Sequence, residues 1–206
     1  MAKRAFDLIL AFLGLVLLSP LLAAVALVIK IDSPGPVFFR QPRVGRGGVP
    51  FRIHKFRTMR HDPHGAEPQI TVGADARITR VGALLRRTKL DELPQLVDVL
   101  QGSMSLVGPR PEVPRYVALY PSELRDVVLS VRPGITDLAS IEFRDEASLL
   151  ARAADPEREY VEVVMPRKLA LAVRYVRATS LGLDVTILWR TLRLLFAGRR
   201  ASSPPP

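Results

Sequence analysis

Two adjacent carboxylates, Asp91 and Glu92, stand in a short interval that is rich in cations. Arg86 and Lys89 precede them, and Arg110 follows in a Gly-Pro-Arg-Pro turn. Charge-assisted contacts from such cations are the strong contacts to phosphate, and they fix its geometry. Carboxylates among these cations predict a site that holds phosphate oxygens beside a reactive carboxylate.

The element that positions this pair is predicted from apolar residues at helical spacing. They indicate an amphipathic helix from Thr88 to Gln101, with Pro94 in its first turn and Gly102 at its end. Asp91 then lies at the helix N-terminus, where negative charge is favoured. The spacing of Thr88 and Asp91 also fits a capping box, which stabilises a helix without any chemistry. The local sequence leaves both roles of Asp91 open.

The N-terminal part of the chain is an apolar run from Leu8 to Ile29 with basic residues on both sides. As one helix it would measure roughly 33 Å, enough to span a bilayer. Ser19 and Pro20 fall at its middle, where proline breaks the helical hydrogen bonds. We therefore predict a re-entrant helix-break-helix over residues 1–31, in which the Ser19 hydroxyl satisfies a freed backbone group.

Two alternatives to the re-entrant segment remain. One is a kinked helix that crosses the membrane. The other is a cleaved signal peptide with its small-residue site at Ala24-Val25-Ala26, although the apolar run continues past that site.

The segment after the apolar run is predicted to form a small β-hairpin. Val37–Phe39 and Phe51–Phe56 have strand character, and Gly45–Gly48 provides the turn. His54 lacks the spacing of a metal helix and is predicted to be a surface residue. The basic patch of this hairpin, which is predicted to hold anionic lipid, comprises Arg40, Arg43, Arg46, Arg52, Lys55, Arg57 and Arg60.

The remainder is predicted to be mostly helical, which gives an α+β, mainly helical fold. The predicted helices cover residues 80–87, 113–120, 122–131, 167–178 and 181–196, together with one that starts at Asp155 and is interrupted by Pro166. The last helix carries Trp189 and flanking arginines, a pattern typical of a helix in the membrane interface, although core packing fits it equally well. We predict a cytoplasmic catalytic domain with interfacial helices over residues 32–200, and a disordered tail over 201–206.

The composition limits the partners of this chain. With 30 Lys and Arg against 20 Asp and Glu, the net charge of +10 attracts polyanions. The aromatic content of 6% is low for the stacking that nucleic acid needs, so no nucleic-acid partner is predicted. Cysteine is absent, which excludes disulfides and thiolate metal sites. A membrane scaffold without enzymatic activity is the alternative, and it would need Asp91 only as a cap.

Five landmarks in register closely resemble the bacterial sugar transferase family, the monotopic phosphoglycosyl transferases. They are the apolar run broken at Ser19-Pro20, and the segments Lys55–Met59, Leu90–Gln95, Ser103–Pro111 and Arg132–Thr136. The resemblance extends from Arg4 to Phe196. Because the chain begins at the membrane segment, it resembles the small form of the family.

The resemblance implies an enzyme that moves a sugar-1-phosphate from a UDP-sugar to polyprenyl phosphate and releases UMP. It implies Mg²⁺ as cofactor and a covalent aspartyl intermediate. The expected location is the cytoplasmic face of the bacterial inner membrane, where the chain is monotopic and contacts anionic lipid of the inner leaflet. A homodimer is also possible. The reaction would be the first membrane step of a surface glycan pathway.

The resemblance also assigns roles to particular residues. Asp91 matches the nucleophile, and Glu92 matches its partner that binds the metal. The residues assigned to substrate binding are Arg86, Arg110, Pro109, Arg144 and Lys55. One segment departs from many relatives, which have Gly-Trp-Ala-Gln where this chain has Asp137–Ser140. That departure leaves the identity of the donor sugar open.

Overall fold

A computed structural model describes residues 1–60, 72–73 and 75–196 of the chain. This part is mainly helical and contains three two-stranded sheets, which confirms the α+β, mainly helical part of the predicted fold class. The predicted tail over 201–206 lies outside the described residues. The predicted domain boundary between residues 31 and 32 stays a prediction. In the structure, α1 packs in the same core clusters as later parts of the chain.

The helices and strands are short except for three helices. The helices are α1 (Ala2–Asp32), α2 (Arg80–Thr88), α3 (Gln95–Gln101), α4 (Pro114–Val117), α5 (Ser122–Leu129), α6 (Leu138–Glu142), α7 (Glu146–Leu150), α8 (Pro156–Glu159), α9 (Met165–Arg177) and α10 (Leu181–Phe196). The strands are β1 (Phe38–Phe39), β2 (Pro42–Val44), β3 (Pro50–Arg52), β4 (Lys55–Phe56), β5 (Ser105–Val107) and β6 (Gly134–Thr136).

Helix α1 continues through Pro20 and does not divide into the predicted helix-break-helix. Proline has no N–H, so the carbonyl of Val16 loses the partner it would have in a regular helix. The Ser19 hydroxyl donates to that carbonyl at 2.8 Å. The hydrogen bond predicted for Ser19 is confirmed, although the helix does not break at Pro20.

Both ends of α1 are attached to the same body. Near the N-terminus, the buried carboxylate of Asp7 accepts a hydrogen bond from the Ser105 hydroxyl at 2.8 Å and from the Leu106 N–H at 3.2 Å. Near the C-terminus, Ile29 packs in a cluster with Phe56. The helix therefore lies along the protein at both ends and does not project from it at one end alone.

The outer face of α1 is apolar and exposed. This helix is long and apolar enough to cross a membrane by length and composition. Its exposed large apolar residues are Ile9, Leu10, Phe12, Leu13, Val16, Leu17, Leu21, Leu27, Val28 and Ile31. Burying such a face is favourable, so it fits contact with lipid.

Helix α10 has one buried face and one exposed apolar face. Asp184 and Ile187 are fully buried, while Trp189 is 61% exposed. The core-packing alternative for this helix therefore holds for its inner face. Its predicted interfacial position stays a prediction that the exposed outer face favours.

The predicted β-hairpin is confirmed, with an outer and an inner pair of strands. β1 pairs with β4 through Phe39 and Lys55, and β2 pairs with β3 through Arg43 and Phe51, both antiparallel. The turn needs glycine at Gly47, whose φ of 67° is strained for other residues. The hairpin brings Lys55 to the carboxylate pair.

The single helix predicted from Thr88 to Gln101 is wrong. Helix α2 ends at Thr88, Lys89 is left-handed with φ of 59°, a 3₁₀ turn covers Leu90–Glu92, and α3 starts only after Pro94. The Thr88 hydroxyl donates to the Leu84 carbonyl at 2.8 Å and forms no capping box. The predicted end at Gly102 is confirmed, because this residue caps α3 with φ of 91°.

A parallel pair of strands, which the local pattern did not predict, joins two distant landmarks. β5 and β6 pair through Ser105 with Gly134 and through Val107 with Thr136. A Cβ on Gly134 would lie 2.1 Å from the Gly108 nitrogen, so only glycine allows this close approach. The pair fixes the start of the Gly108–Pro111 turn that carries Arg110.

The predicted interruption at Pro166 is also corrected. The chain passes from α8 through one π-helical turn, Tyr160–Val164, directly into α9. Pro166 lies in the first turn of α9, where its missing N–H costs no regular α-helical hydrogen bond.

Candidate active site

The carboxylates of Asp91 and Glu92 lie together under Lys55. Both residues are buried, with 1% and 7% of their surface exposed. Lys55 Nζ lies 2.9 Å from Asp91 Oδ2 and 3.3 Å from Glu92 Oε1. The 3₁₀ turn that carries the pair, not a helix N-terminus, therefore presents both carboxylates to one ammonium group.

Arg110 completes the neutralisation of Glu92. Its guanidinium donates from both terminal nitrogens, from Nη1 to Oε2 at 3.2 Å and from Nη2 to Oε1. Its backbone N–H donates to Asp137 Oδ2 at 3.2 Å. Lysine could not reproduce the two guanidinium contacts of Arg110 to the two oxygens of Glu92.

The electrostatics hold Glu92 ionised. Burial by itself would raise its pKa, but the positive charges of Arg110, Lys55 and Lys89 outweigh that effect and hold the pKa well below its usual range. The attraction of Glu92 in turn raises the pKa of Arg110 above its usual value. The pair is therefore charged at neutral pH.

One carboxylate oxygen of Asp91 has no partner among the described residues. Oδ2 receives Lys55, but Oδ1 is buried and accepts no hydrogen bond. An orphaned buried acceptor is costly and calls for an explanation, such as a role in chemistry or a missing ligand. Asp91 Oδ1 is therefore the oxygen that is open to a metal ion or to a reacting atom.

The donor set fits Mg²⁺ only with help from a substrate. No group of three His, Asp or Glu side chains that could hold a metal occurs in the described part of the chain. Mg²⁺ commonly binds through one or two carboxylates plus substrate phosphates and water. Asp91 Oδ1 is the available ligand, whereas both oxygens of the predicted ligand Glu92 already receive cations.

A cavity of about 720 Å³ opens beside the carboxylates. Lys55, Arg86 and Arg110 reach its wall, whereas Asp91 and Glu92 lie behind Lys55 and Arg110. The described residues that line it are Pro36, Phe38, Phe39, Arg40, Gln41, Arg43, Arg52, Ile53, Lys55, Phe56, Arg57, Thr58, Met59, Arg60, Arg77, Arg86, Gln95, Arg110 and Pro111. The described part of this wall contains cations and no carboxylate, which favours an anion as ligand.

Three of the lining cations are held by specific partners. Arg86 Nε donates to the Thr58 hydroxyl at 2.9 Å, and burial lowers the pKa of this guanidinium without making it neutral at physiological pH. Arg43 Nη1 donates to Glu112 Oε1 at 3.2 Å. Arg57 is buried and donates to the Ser33 carbonyl at 2.6 Å, so it anchors the end of α1.

The structure brings together most of the predicted site residues. Lys55, Arg86 and Arg110 line the cavity, and their role in substrate binding stays a prediction. Pro109 lines a separate small pocket, and Arg144 lies in the segment between α6 and α7, half-buried and not among the described cavity residues. Their assignment to substrate binding stays a prediction.

Sequence reasoning missed four residues of the site. Thr58 holds Arg86, Asp137 holds the backbone of Arg110, Glu112 holds Arg43, and Gln95 lines the cavity. Thr58 could have been found from its place in the Lys55–Met59 landmark. The other three meet their partners only through tertiary contacts.

The predicted surface position of His54 is wrong. Only 15% of its side chain is exposed, and its Nδ1 lies 2.7 Å from Asp98 Oδ1. The Asp98 carboxylate is itself buried in α3, so it draws the imidazole inward.

Comparison with known proteins gives several relatives of high identity. The chain is 40% identical over 200 residues to a UDP-N-acetylgalactosamine-undecaprenyl-phosphate N-acetylgalactosaminephosphotransferase of Aeromonas hydrophila, covering 95% of this chain and 44% of the relative. It is 44% identical over 191 residues to a UDP-glucose:undecaprenyl-phosphate glucose-1-phosphate transferase of Xanthomonas campestris pv. campestris, covering 91% and 37%.

A third relative is matched over more of its length. It is a UDP-glucose:undecaprenyl-phosphate glucose-1-phosphate transferase of Caulobacter vibrioides, 40% identical over 192 residues, covering 92% of this chain and 68% of the relative. The chain spans only about two fifths of the first two relatives. The family model for bacterial sugar transferases matches residues 1–198, and the chain therefore belongs to the bacterial sugar transferase family.

Proposed function

We propose that this protein transfers a sugar-1-phosphate from a UDP-sugar to undecaprenyl phosphate and releases UMP. The carrying observation is the buried Asp91–Glu92 pair in contact with Lys55 and Arg110 of a cation-lined cavity, with one carboxylate oxygen of Asp91 unpartnered among the described residues. Two relatives that match nearly the whole chain are named for this reaction, one with N-acetylgalactosamine and the other with glucose as the sugar. Those names support the reaction class and leave the sugar open.

The proposed first step is attack of an Asp91 carboxylate oxygen on the phosphorus that bears the sugar. An oxygen–phosphorus bond forms, and the bond from that phosphorus to the bridging oxygen breaks, so UMP leaves with the electron pair. The product is an aspartyl phosphosugar. Covalent catalysis of this kind lets one site serve two substrates in turn.

The second step returns the carboxylate. An oxygen of undecaprenyl phosphate attacks the same phosphorus, and the bond to Asp91 breaks with its electron pair on the carboxylate. The acceptor then carries a diphosphate and the sugar, the first lipid-linked product of a surface glycan pathway. No proton needs to be gained or lost at Asp91 in either step.

The cations around the pair have separate tasks in this proposal. Lys55 pairs with Asp91 and Glu92 in the structure, and a bound phosphate would compete for its ammonium and so release Asp91. Arg86 and Arg110 would take the phosphate charge that builds up as UMP leaves. Mg²⁺, held by Asp91 or Glu92 together with the diphosphate, would neutralise further charge on the phosphates.

The reaction is tested by offering UDP-glucose and UDP-N-acetylgalactosamine to the purified protein in detergent with Mg²⁺. We expect release of UMP with undecaprenyl phosphate present and, without it, an intact-mass increase of one sugar-phosphate. UMP release that requires the lipid, with no mass increase in its absence, would indicate direct transfer in a ternary complex. No release with any UDP-sugar would contradict the proposed reaction.

We also propose a monotopic arrangement at the cytoplasmic face of the inner membrane. The attachment of both ends of α1 to one body supports it, because a spanning helix would separate those ends by the bilayer. The exposed apolar face of α1 would then enter one leaflet.

Single cysteines provide the test, since the chain has none. Cysteines placed at Ala2 and at the exposed Glu123 should both resist an impermeant thiol reagent in spheroplasts and both react after lysis. Reaction at position 2 alone in intact spheroplasts would show that α1 spans the membrane.

A further inference from the structure

Arg40, His54 and Asp98 form a hydrogen-bonded chain at the wall of the cavity. Arg40 Nη1 lies 2.6 Å from His54 Nε2, and His54 Nδ1 lies 2.7 Å from Asp98 Oδ1. Arginine only donates, so Nε2 must accept and the imidazole proton must lie on Nδ1. The second oxygen of Asp98 accepts from the His54 backbone N–H at 2.8 Å. The imidazole is therefore fixed in one tautomer that orients Arg40.

Arg52 is tied to Arg40 by reciprocal contacts. Arg40 Nη2 donates to the Arg52 carbonyl at 3.1 Å, and Arg52 Nη2 donates to the Arg40 carbonyl at 3.2 Å. Both side chains are exposed and line the cavity. No ion pair joins either arginine to a carboxylate within the described ranges. Two guanidinium groups thus retain their full charge for an external anion.

An exposed aromatic ring lies next to these arginines. Phe38 is 43% exposed, and its ring meets the His54 ring edge-on with centroids 6.4 Å apart. Phe38 also stacks on Phe56, with ring centroids 5.5 Å apart, and Phe56 packs in one cluster with Ile29 near the end of α1. Phe38 therefore contacts both His54, which holds Arg40, and Phe56, which packs with the apolar helix.

We infer that Arg40, Arg52 and Phe38 form an entry subsite for the lipid acceptor, distinct from the carboxylate pair. It would take a phosphate monoester that is carried on an apolar chain, with the phosphate on the two arginines and the chain along Phe38 towards α1. The inference rests on the proposed function. His54 and Asp98 are positioning residues, because they reach the ligand only through Arg40.

The position of the subsite favours the acceptor over the soluble donor. The donor must place its diphosphate at Lys55, Arg86 and Arg110, which surround the carboxylates. A UDP-sugar has no long apolar part that would use an exposed ring beside the membrane helix. An amphiphile with a charged head and an apolar tail matches both halves of the subsite.

The test separates the two half-reactions in the full-length protein. Arg40→Gln and Arg52→Gln are compared with Arg46→Gln, an exposed arginine on the hairpin turn that does not line the cavity. We expect the cavity variants to form the sugar-phosphate adduct within about twofold of the wild-type rate, but to raise the KM for undecaprenyl phosphate by on the order of tenfold or more. The Arg46→Gln protein should match the wild type in both measurements.

The positioning role has its own variant. His54→Phe keeps a ring against Phe38 but loses both hydrogen bonds, so it should raise the acceptor KM as Arg40→Gln does and leave the donor KM unchanged. A protein with both His54→Phe and Arg40→Gln should have an acceptor KM close to that of either single variant, because both changes act through the Arg40 guanidinium. A purely structural role of His54 would instead lower kcat for both half-reactions.

Phe38→Ala tests the apolar half of the subsite. It should raise the KM for undecaprenyl phosphate more than the KM for a prenyl phosphate of two isoprene units. Equal effects on both acceptors would overturn this part of the inference.

Two results with the Arg40→Gln and Arg52→Gln proteins overturn the subsite as a whole. One is a KM for undecaprenyl phosphate that equals the wild-type value, and if these proteins also lose binding to phosphatidylglycerol vesicles, the arginines bind bulk anionic lipid instead. The other is adduct formation that slows as much as overall turnover does. If the wild type forms no adduct, the covalent step of the proposed function fails, but the contrast between acceptor and donor KM still decides the subsite.

Discussion

Replacement of Asp91 by Asn is expected to lower turnover by on the order of 10³-fold or more. An amide is a poor nucleophile towards phosphorus, so the covalent step should fail although the side chain keeps its shape. The sugar-phosphate adduct of the wild-type protein should be absent from the intact mass of the variant. UMP release in the presence of undecaprenyl phosphate gives the rate.

The fold should tolerate this change. Lys55 would still lie beside Glu92, at 3.3 Å in the native protein, so its ammonium would not be left without a carboxylate. The cost should be about 2 kcal/mol or less, the scale of one charge-assisted hydrogen bond. Asp126→Asn, on an exposed face of α5, is the matched control and should leave both rate and adduct unchanged. An Asp91→Asn protein that still forms the adduct would place the nucleophile elsewhere.

Replacement of Arg110 by Met should be the next most severe change, lowering kcat/KM by about 10²- to 10³-fold. The substitution removes the fork that binds Glu92 and one cation that, in the proposed reaction, would face the transferred phosphate. Arg110→Lys should recover only part of the loss, because an ammonium group cannot contact both carboxylate oxygens in this geometry. Arg115→Met, which removes an arginine from the exposed pair with Glu157, is the control.

The pH dependence gives a second signature of Arg110. In the wild type, the cations hold the pKa of Glu92 well below its ordinary value of 4.5 against the opposing effect of burial. Without Arg110, fewer positive charges oppose the effect of burial, so the pKa of Glu92 should rise. Glu92 would then become protonated at a higher pH than in the wild type. If ionised Glu92 is needed, the acid limb of kcat/KM should move to higher pH in Arg110→Met. An acid limb at the same pH in both proteins would show that Glu92 does not control it.

The same linkage affects folding. A carboxyl with a lowered pKa stabilises the folded state fully above its unfolded pKa, and this contribution is lost as the pH falls through the folded-state pKa. The wild-type protein should therefore lose stability in acid below about pH 4.5 through Glu92. Arg110→Met should lose less stability in acid through Glu92, because the pKa of Glu92 in the folded variant lies closer to its unfolded value, and thermal unfolding in detergent at several pH values would detect the difference.

Local pattern was sufficient for much of the fold. The predicted last helix matches α10 from Leu181 to Phe196, and the hairpin turn at Gly45–Gly48 lies between β2 and β3. These elements depend on periodicity and turn chemistry, which act over a few residues. The same local reasoning failed at Pro20, where the helix continues even though the Ser19 hydroxyl bonds the free carbonyl as expected.

The amino-acid sequence by itself determined which groups could react: adjacent carboxylates, many cations and no thiol. The family resemblance also assigned Lys55 and Arg110 to substrate binding. Only the tertiary structure decided where Asp91 lies. The capping role of Asp91 fails because Lys89 turns left-handed and puts the pair in a buried 3₁₀ turn.

The remaining contacts of the site join residues far apart in the chain. Lys55 lies 37 positions from Glu92, and His54 lies 44 positions from Asp98. Periodicity reports which face of an element is buried, but it carries no information about which distant side chain arrives there. The hairpin packs against the turn that carries Asp91 and against the start of α3. This packing places Arg40 at the cavity and leaves one oxygen of Asp91 without a partner among the described residues.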